Sequence, residues 1–222
     1  MQILVVGSEA SAQEVKKKFG NAHLYRLAPD HVHARAALAG SEVVFDFLLA
    51  DDPSQQLIYR SFSGPVFVHC VLTTLSAILD NPTALVFGCN GWPGGIDRPE
   101  LEVSLNHTGH RGVLSTICMQ LATDYRVVDD RVGLVTPRIV SMIINEAYLT
   151  VQEGTASVSD IDRAMQLGTN YPAGPFAWCA QIGVRQVYRL LEALYQDTHD
   201  ERYKVAPLLK KEYLRSQKQQ IQ

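Results

Sequence analysis

No apolar run in this 222-residue sequence approaches the ~20 residues needed to cross a bilayer. Its first residues, Met1-Gln2-Ile3-Leu4-Val5-Val6-Gly7, lack the cationic start and long apolar core of a secretory leader. The expectation is a cytoplasmic protein with no membrane contact. A charge excess is also lacking: 20 Lys and Arg stand against 23 Asp and Glu, a net charge of −3. Such a balance offers no field for nucleic acid and leaves small molecules or proteins as the expected partners. Cysteine is scarce, and Cys70, Cys89, Cys118 and Cys179 form no CxxC pair and lie among apolar residues, as reduced buried thiols do. No metal site is expected, since His107-Thr108-Gly109-His110 has no third ligand in its pattern. No internal repeat is present.

Hydrophobic residues make up 46% of the chain, enough for one substantial core or two modest ones. Over the first hundred residues short β-branched runs alternate with helical patterns: Ile3–Val6 then Ala12–Phe19, His23–Leu27 then His33–Leu38, Val43–Leu48 then Ser54–Ser61, followed by Val66–Val71 and Ala84–Phe87. This alternation predicts a parallel α/β sheet, with turns at Gly20-Asn21, Ala28-Pro29-Asp30, Gly64-Pro65 and Asn81-Pro82. Asn90-Gly91-Trp92-Pro93-Gly94-Gly95 can continue neither helix nor central strand and predicts a loop; Glu102–Leu105 and Tyr125–Val128 add strands.

Beyond Asp129-Asp130 the pattern becomes helical. Ile139, Ile143, Ile144, Ala147 and Val151 recur at three- and four-residue spacing from a start near Pro137 to a stop at Gly154. Ser157 or Ser159 caps a helix that ends near Gly168, and further helices are expected over Gly174–Ala180, Gly183–Gln196 and Pro207–Gln217. The polar tail Gln217–Gln222 predicts a frayed end. The division expected is a Rossmann-like domain over 1–131 and an all-α domain over 132–222.

A strand running through a glycine into a helix is where a dinucleotide-binding domain carries G-x-G-x-x-G. Here the run is Gly7-Ser8-Glu9-Ala10-Ser11-Ala12. Gly7 keeps the tight turn and Ala12 is acceptable as the third position, but Glu9 puts a carboxylate where pyrophosphate charge would sit. The second strand, Tyr25-Arg26-Leu27-Ala28, ends without the acid that would hold a ribose, and Asp30 lies beyond Pro29. No resident cofactor is therefore expected; NAD binding, or a 2′-phosphate read by Arg26, stays open as the alternative. Lys16-Lys17-Lys18 reads as a solvated helix face, with phosphate contact as the alternative.

The stretch Glu153–Phe176, with Glu-Gly, Ala-Ser, Asp-Ile-Asp, Ala-Met, Leu-Gly, Tyr-Pro and Gly-Pro-Phe in order, resembles the C-terminal domain of 3-hydroxyacyl-CoA dehydrogenases. Ile182-Gly183, Leu190–Tyr195, Arg202-Tyr203 and Pro207-Leu208-Leu209 extend the resemblance, which covers Val132 to about Ser216. It implies a 6-phosphogluconate dehydrogenase C-terminal-like helical domain that makes a homodimer and closes over acyl-CoA.

Upstream the resemblance is weaker. It places the family's acidic strand end on Asp46, its Ser-Asn-Thr-Ser run on Cys70–Thr74, and its His-Phe-Phe-Asn-Pro run on Phe87–Gly91, so that only Asn90 is kept. The glutamate partner of the catalytic histidine falls on Glu102, and Gly133–Arg138 stands for the junction motif with Pro137 in place of asparagine. The resemblance thus implies cofactor contacts at Gly7 and Asp46 and catalytic positions at Thr73, Asn90 and Glu102. The histidine that should take the hydroxyl proton is Phe87, which cannot do so.

Two readings stay open: a dimeric binding or regulatory protein without normal hydride transfer, or an active NAD(P)-dependent oxidoreductase with a rearranged site. In the second, His107 or His110 supplies the base, with His69 a lesser candidate. An unrelated activity on the same scaffold is a third class, since fold does not fix function.

Overall fold

The structure, a computed structural model, describes residues 1–81 and 83–219. Pro82 of the Asn81-Pro82 turn and residues 220–222 of the polar tail lie outside the described residues. The chain divides into two compact units, Met1–Leu134 and Val135–Gln222.

The first unit runs β1 (Gln2–Val6), α1 (Glu9–Phe19), β2 (Leu24–Ala28), α2 (His31–Ala37), β3 (Val43–Asp46), a 3-10 segment Pro53–Tyr59, β4 (Val66–His69), α3 (Leu75–Ile78), β5 (Val86–Cys89), β6 (Glu100–Leu105), α4 (Arg111–Gln120) and β7 (Asp124–Val128). These strands form one sheet in the order β2-β1-β3-β4-β5-β6-β7. Pairing is parallel from β2 through β5, antiparallel between β5 and β6, and parallel again from β6 to β7. The expected parallel sheet therefore reverses at β6. A loop without a crossover helix joins β5 to β6, and neighbours joined that way pair antiparallel.

One face of the sheet carries a ladder of phenylalanines. Phe45, Phe67 and Phe87 are register neighbours on three parallel strands, with ring centroids 4.9 and 5.2 Å apart, and Phe19 of α1 joins Phe45 at 5.3 Å. Val15, Leu114, Ile117 and Leu121 of α1, α4 and its end close over them. Between β2 and β3 there is only the seven-residue α2.

The second unit comprises α5 (Thr136–Gln152), α6 (Val158–Thr169), α7 (Pro175–Ile182), α8 (Val184–Thr198), a 3-10 turn Glu201–Tyr203 and α9 (Pro207–Gln219). Its core is Ile144, Tyr148, Cys179, Val187, Leu191, Ala206 and Leu209. Polar side chains fix the joints. Asn145, 5% exposed, donates to Lys204 O at 2.9 Å and accepts from Ala206 N at 2.8 Å. Ser157 caps α6. Asp162 of α6 accepts from Phe176 N at 2.8 Å and Ala177 N at 3.1 Å, so a carboxylate from one helix caps the next. A Cβ at Gly174 would run into that Asp162 side chain, which is why the Asp-Ile-Asp and Gly-Pro-Phe elements occur together.

We expect Gly174→Ala to lower unfolding stability by ~1–3 kcal/mol, as overpacking does. Asp162→Ala should itself cost ~0.5–2 kcal/mol, the loss of a cap. Because Asp162→Ala removes Cγ and Oδ1 but keeps the Cβ that also meets the new methyl, the clash is relieved in part, and the double variant in urea unfolding should be somewhat more stable than the sum of the two losses; strict additivity would contradict this pairing.

Candidate functional site

In an open α/β sheet ligands sit beyond the carboxyl ends of the strands where the strand order reverses. Here that point lies at β1, whose neighbours β2 and β3 leave it in opposite directions. Gly7 follows β1 with φ +154°, and a Cβ there would stand 3.2 Å from Phe47 Cβ, so the turn requires glycine. Ser8 then caps α1, accepting from Ser11 N at 3.2 Å. Glu9, exposed in the first turn of α1, complements the helix dipole with its own charge. Asp30, the acid after β2, caps α2 and accepts from both His33 N and His33 Nδ1. A carboxylate at the phosphate end of α1 and an already engaged acid at the ribose end do not fit a dinucleotide.

Asp46 ends β3 and is 1% exposed. Its Oδ1 accepts from Leu48 N and Leu49 N at 2.8 and 2.9 Å; its Oδ2 accepts from His31 Nε2 at 2.9 Å and from Tyr59 OH at 2.7 Å. A carboxylate offers about four acceptor positions, and all are used within the protein. Asp46, the expected cofactor contact, thus holds α2, the 3-10 segment and the 47–49 turn together. His31 is pushed above its usual pKa by the hydrogen bond to Asp46, against the opposing effect of burial, with the charges of Asp46, Asp52 and Asp30 adding. Burial, then the charge and the hydrogen bond of Asp46, push the Tyr59 phenol far up.

The carboxyl ends of β4 and β5 bring further polar groups to this edge. His69 closes β4, stacks on Phe47 at 6.5 Å, and accepts from Gly91 N at Nδ1 over 3.0 Å. Thr73 follows in the turn after β4, its N–H reaching Cys70 O, and Thr74 caps α3. Asn90, 4% exposed, accepts from Trp92 N at 3.1 Å. The loop beyond is tied to α1: Glu14 accepts from Ile96 N and Asp97 N, Lys17 pairs with Asp97 at 2.5 Å, and Lys18 donates to Arg98 O. The lysine run read as a solvated face therefore gives two of its three members to holding this loop.

The dyad positions come out differently from the sequence alignment. Phe87 is fully buried with Cys89, Leu101 and Val103 on the phenylalanine face. Strand alternation puts Glu102 on the other face, with Ser104 and its register partner Gly88. Phe87 pairs with Leu105 and does not face Glu102; the register continued by one residue sets Asn90 across from Glu102, with Gly88 the next β5 position on the same face. A Cβ on Gly88 would collide with Ser104 Oγ and Cys70 Sγ, so even a small side chain has no room there. Burial, first, and Asp130, second, push the Cys70 thiol up to about 12, so it is no nucleophile.

His107 and His110 lie at the opposite end of β6. Asn106 Nδ2 donates to Ala84 O just ahead of β5, and the His110 ring stands edge-on to Phe87 at 6.4 Å. His107 lies five residues beyond Glu102 and two past the end of β6, roughly 17 Å if the chain stays extended. The structure thus brings Gly7, Asp46, Thr73 and Asn90 to one sheet edge, with Glu102 early in the neighbouring β6, and leaves His107 and His110 at the other. The residues that sequence reasoning missed are His31 and Tyr59; a histidine at a helix start and a tyrosine in a polar segment carry no pattern that points to Asp46. Among the described residues no cluster of His, Cys, Asp and Glu could hold a metal, and no helix is long and apolar enough to cross a membrane.

Residues 133–220 match the family described as the C-terminal domain of 3-hydroxyacyl-CoA dehydrogenase. The helical unit therefore belongs to that domain family. Its likeness is 48% identity over 87 residues to the 3-hydroxyadipyl-CoA dehydrogenase of Escherichia coli K12, covering 39% of this chain and 18% of that protein. A solved 3-hydroxybutyryl-CoA dehydrogenase from Escherichia coli K12 is 31% identical with a TM-score of 0.57, covering 67% of this chain and 31% of that one. Two thirds of the chain is more than the helical unit, so this likeness reaches into the α/β unit. The crystal structure of M. tuberculosis FadB2 shares the fold at a TM-score of 0.75 and 14% identity, covering 94% of this chain and 92% of that one. The chain matches less than a third of the length of the first curated relatives.

The His31–Asp46 pair gives a pH signature. A histidine whose pKa is higher in the folded than in the unfolded chain stabilises the fold fully below its free value of ~6.5, and that contribution fades as pH rises through the folded value. The stability gap between the wild type and His31→Gln, followed by urea unfolding, should narrow as pH is raised from about 6 to about 8. A gap that widens over that window would rule the ion pair out.

Proposed function

We propose that this is a 3-hydroxyacyl-CoA dehydrogenase-family protein that binds acyl-CoA and has no ordinary hydride-transfer activity, working as a homodimer built on its helical unit. The observation that carries the reading is the register of β5 against β6: continued by one residue it sets Asn90 and no histidine across from Glu102, and at Gly88, the next β5 position on that face, Ser104 and Cys70 leave no room for an imidazole. A missing general base is worth ~10²–10⁴ in rate, and loss of the substrate-positioning groups removes more. The Glu9 carboxylate and the engaged Asp30 support the absence of a resident nicotinamide cofactor. Dimerisation is supported by α6, in which no residue of twelve is buried while Val158 and Leu167 are 46% and 75% exposed.

An active oxidoreductase with a rearranged site is the second reading, and His69 is the observation in its favour, since it places an imidazole at the sheet edge. Against it, Gly91 N occupies Nδ1, so the neutral ring carries its proton on Nε2 and is a donor there, not a base.

The purified protein should show no NAD-dependent oxidation of 3-hydroxybutyryl-CoA in a spectrophotometric assay, and Glu102→Gln should leave that null result unchanged. A robust rate that falls with His69→Ala would establish the second reading instead. In calorimetry NAD should bind weakly or not at all, and Glu9→Gly should improve it; tight binding by the unmodified protein would defeat the argument from Glu9. Light scattering at micromolar concentration should give the mass of a dimer, and a monomer would count against the role of α6.

A further inference from the structure

The loop from Asn90 to Gly95 was read from the sequence only as a chain reversal, yet it contains a buried donor without an acceptor. Trp92 is 3% exposed, and its indole Nε1 is one of three buried side-chain polar atoms without a hydrogen-bond partner among the described residues. Every other polar group of Trp92 is engaged: its N–H donates to Asn90 Oδ1 at 3.1 Å and its carbonyl accepts from Gly95 N at 2.7 Å. The neighbouring Gly91 N–H is held by His69 Nδ1, and the far end of the loop is fastened to α1 through Glu14, Lys17 and Lys18. So much tethering fixes the backbone of the loop, and with it the root of the indole. Buried donors are satisfied in nearly all native structures, and an orphan calls for an explanation.

We infer that the indole N–H of Trp92 is a binding-site donor for a neutral carbonyl oxygen, the thioester or ketone oxygen of an acyl-CoA, at the carboxyl edge of β5. The inference rests on the acyl-CoA reading above. An indole nitrogen can only donate, so its partner must be an acceptor. The charge at this strand end selects which acceptor. Two carboxylates stand by this loop, Asp46 at the end of β3 and Glu14 of α1, which accepts from Ile96 N and Asp97 N, so the surroundings of the β5 end carry negative charge. The cations fastened to this loop, Lys17 and Lys18, are turned to Asp97 and to the carbonyls of Arg98 and Pro99. Such a field disfavours a carboxylate or phosphate beside the indole and tolerates an uncharged carbonyl.

The chain holds two tryptophans, Trp92 and Trp178, so an ¹⁵N-indole correlation spectrum of the full-length protein gives two side-chain signals, and Trp178→Phe identifies them. The expected result is a Trp92 signal at the upfield position of an unbonded indole that moves downfield on adding acetoacetyl-CoA and stays in place with free CoA, which lacks the acyl carbonyl. Trp92→Phe should weaken acetoacetyl-CoA about 5- to 10-fold, the effect of one neutral hydrogen bond, and leave free CoA unchanged. Calorimetry on the same samples separates the two claims. Binding of acetoacetyl-CoA without movement of the Trp92 signal, or with equal movement by free CoA, overturns the role of Trp92 and leaves the acyl-CoA reading standing. No binding at all overturns the acyl-CoA reading and the inference with it. A Trp92 signal already at the bonded position in the unliganded protein means that a buried water satisfies the indole, which also overturns the inference.

Discussion

The carboxylate of Asp46 is the constraint on which the α/β unit is organised. A charge removed from water is tolerated only when its acceptor positions are filled, and the four donors that fill them come from three separate segments. The 47–49 turn must fold back to offer two N–H groups, α2 must begin with His31 against the strand end, and the 3-10 segment must place Tyr59 beneath both. Phe47 is then set where it meets Gly7, and from the other side His69 stacks on it. The turn after β1 and the end of β4 thus take their positions from a buried ion that is itself closed to ligands.

A second constraint is the reversal at β6. Once the chain returns antiparallel, residues early in β6 lie near the carboxyl ends of the parallel strands and residues after it lie at their amino ends. Glu102 and His107 are five residues apart in sequence and at opposite ends of one strand. The same pleat decides the fate of Phe87. A one-residue difference in where the family's strand is laid on this chain moves a position from one face of the sheet to the other, because side chains alternate with a period of two. Phe87 belongs to the phenylalanine ladder, and the residue facing the other way is a glycine.

Periodicity made most of the fold legible. The strands, the helix starts at Pro137 and Ser157, and the stop at Gly154 follow from alternation, capping and breaker residues, and the structure has them within a few positions. Two kinds of feature were not legible. The direction of β6 depends on whether a helix lies between it and β5, and the Asn90–Gly95 run says only that the chain turns. The partners of Asp46 depend on tertiary placement: nothing local in His31 or Tyr59 distinguishes them from other polar residues near a helix start. The gathering of the site residues was only partly legible: Asp46, Thr73 and Asn90 follow from strand ends that share one sheet edge, while His107 and His110, close to Glu102 in sequence, lie beyond the other end of β6.

The helical unit shows why a strong family likeness can coexist with a changed site. The residues that carry the resemblance there have mechanical duties: Asp162 caps α7, Gly174 leaves room for that carboxylate, Asn145 ties α5 to the segment before α9, and Ser157 caps α6. Any protein that keeps this bundle must keep them, whatever its α/β unit does. Identity concentrated in such positions certifies the bundle and its packing and is silent about proton transfer. In the α/β unit the corresponding structural duty falls on Asp46, which ties three segments together, on Gly7, which leaves room for Phe47, and on the phenylalanine ladder, which packs the sheet against α1 and α4.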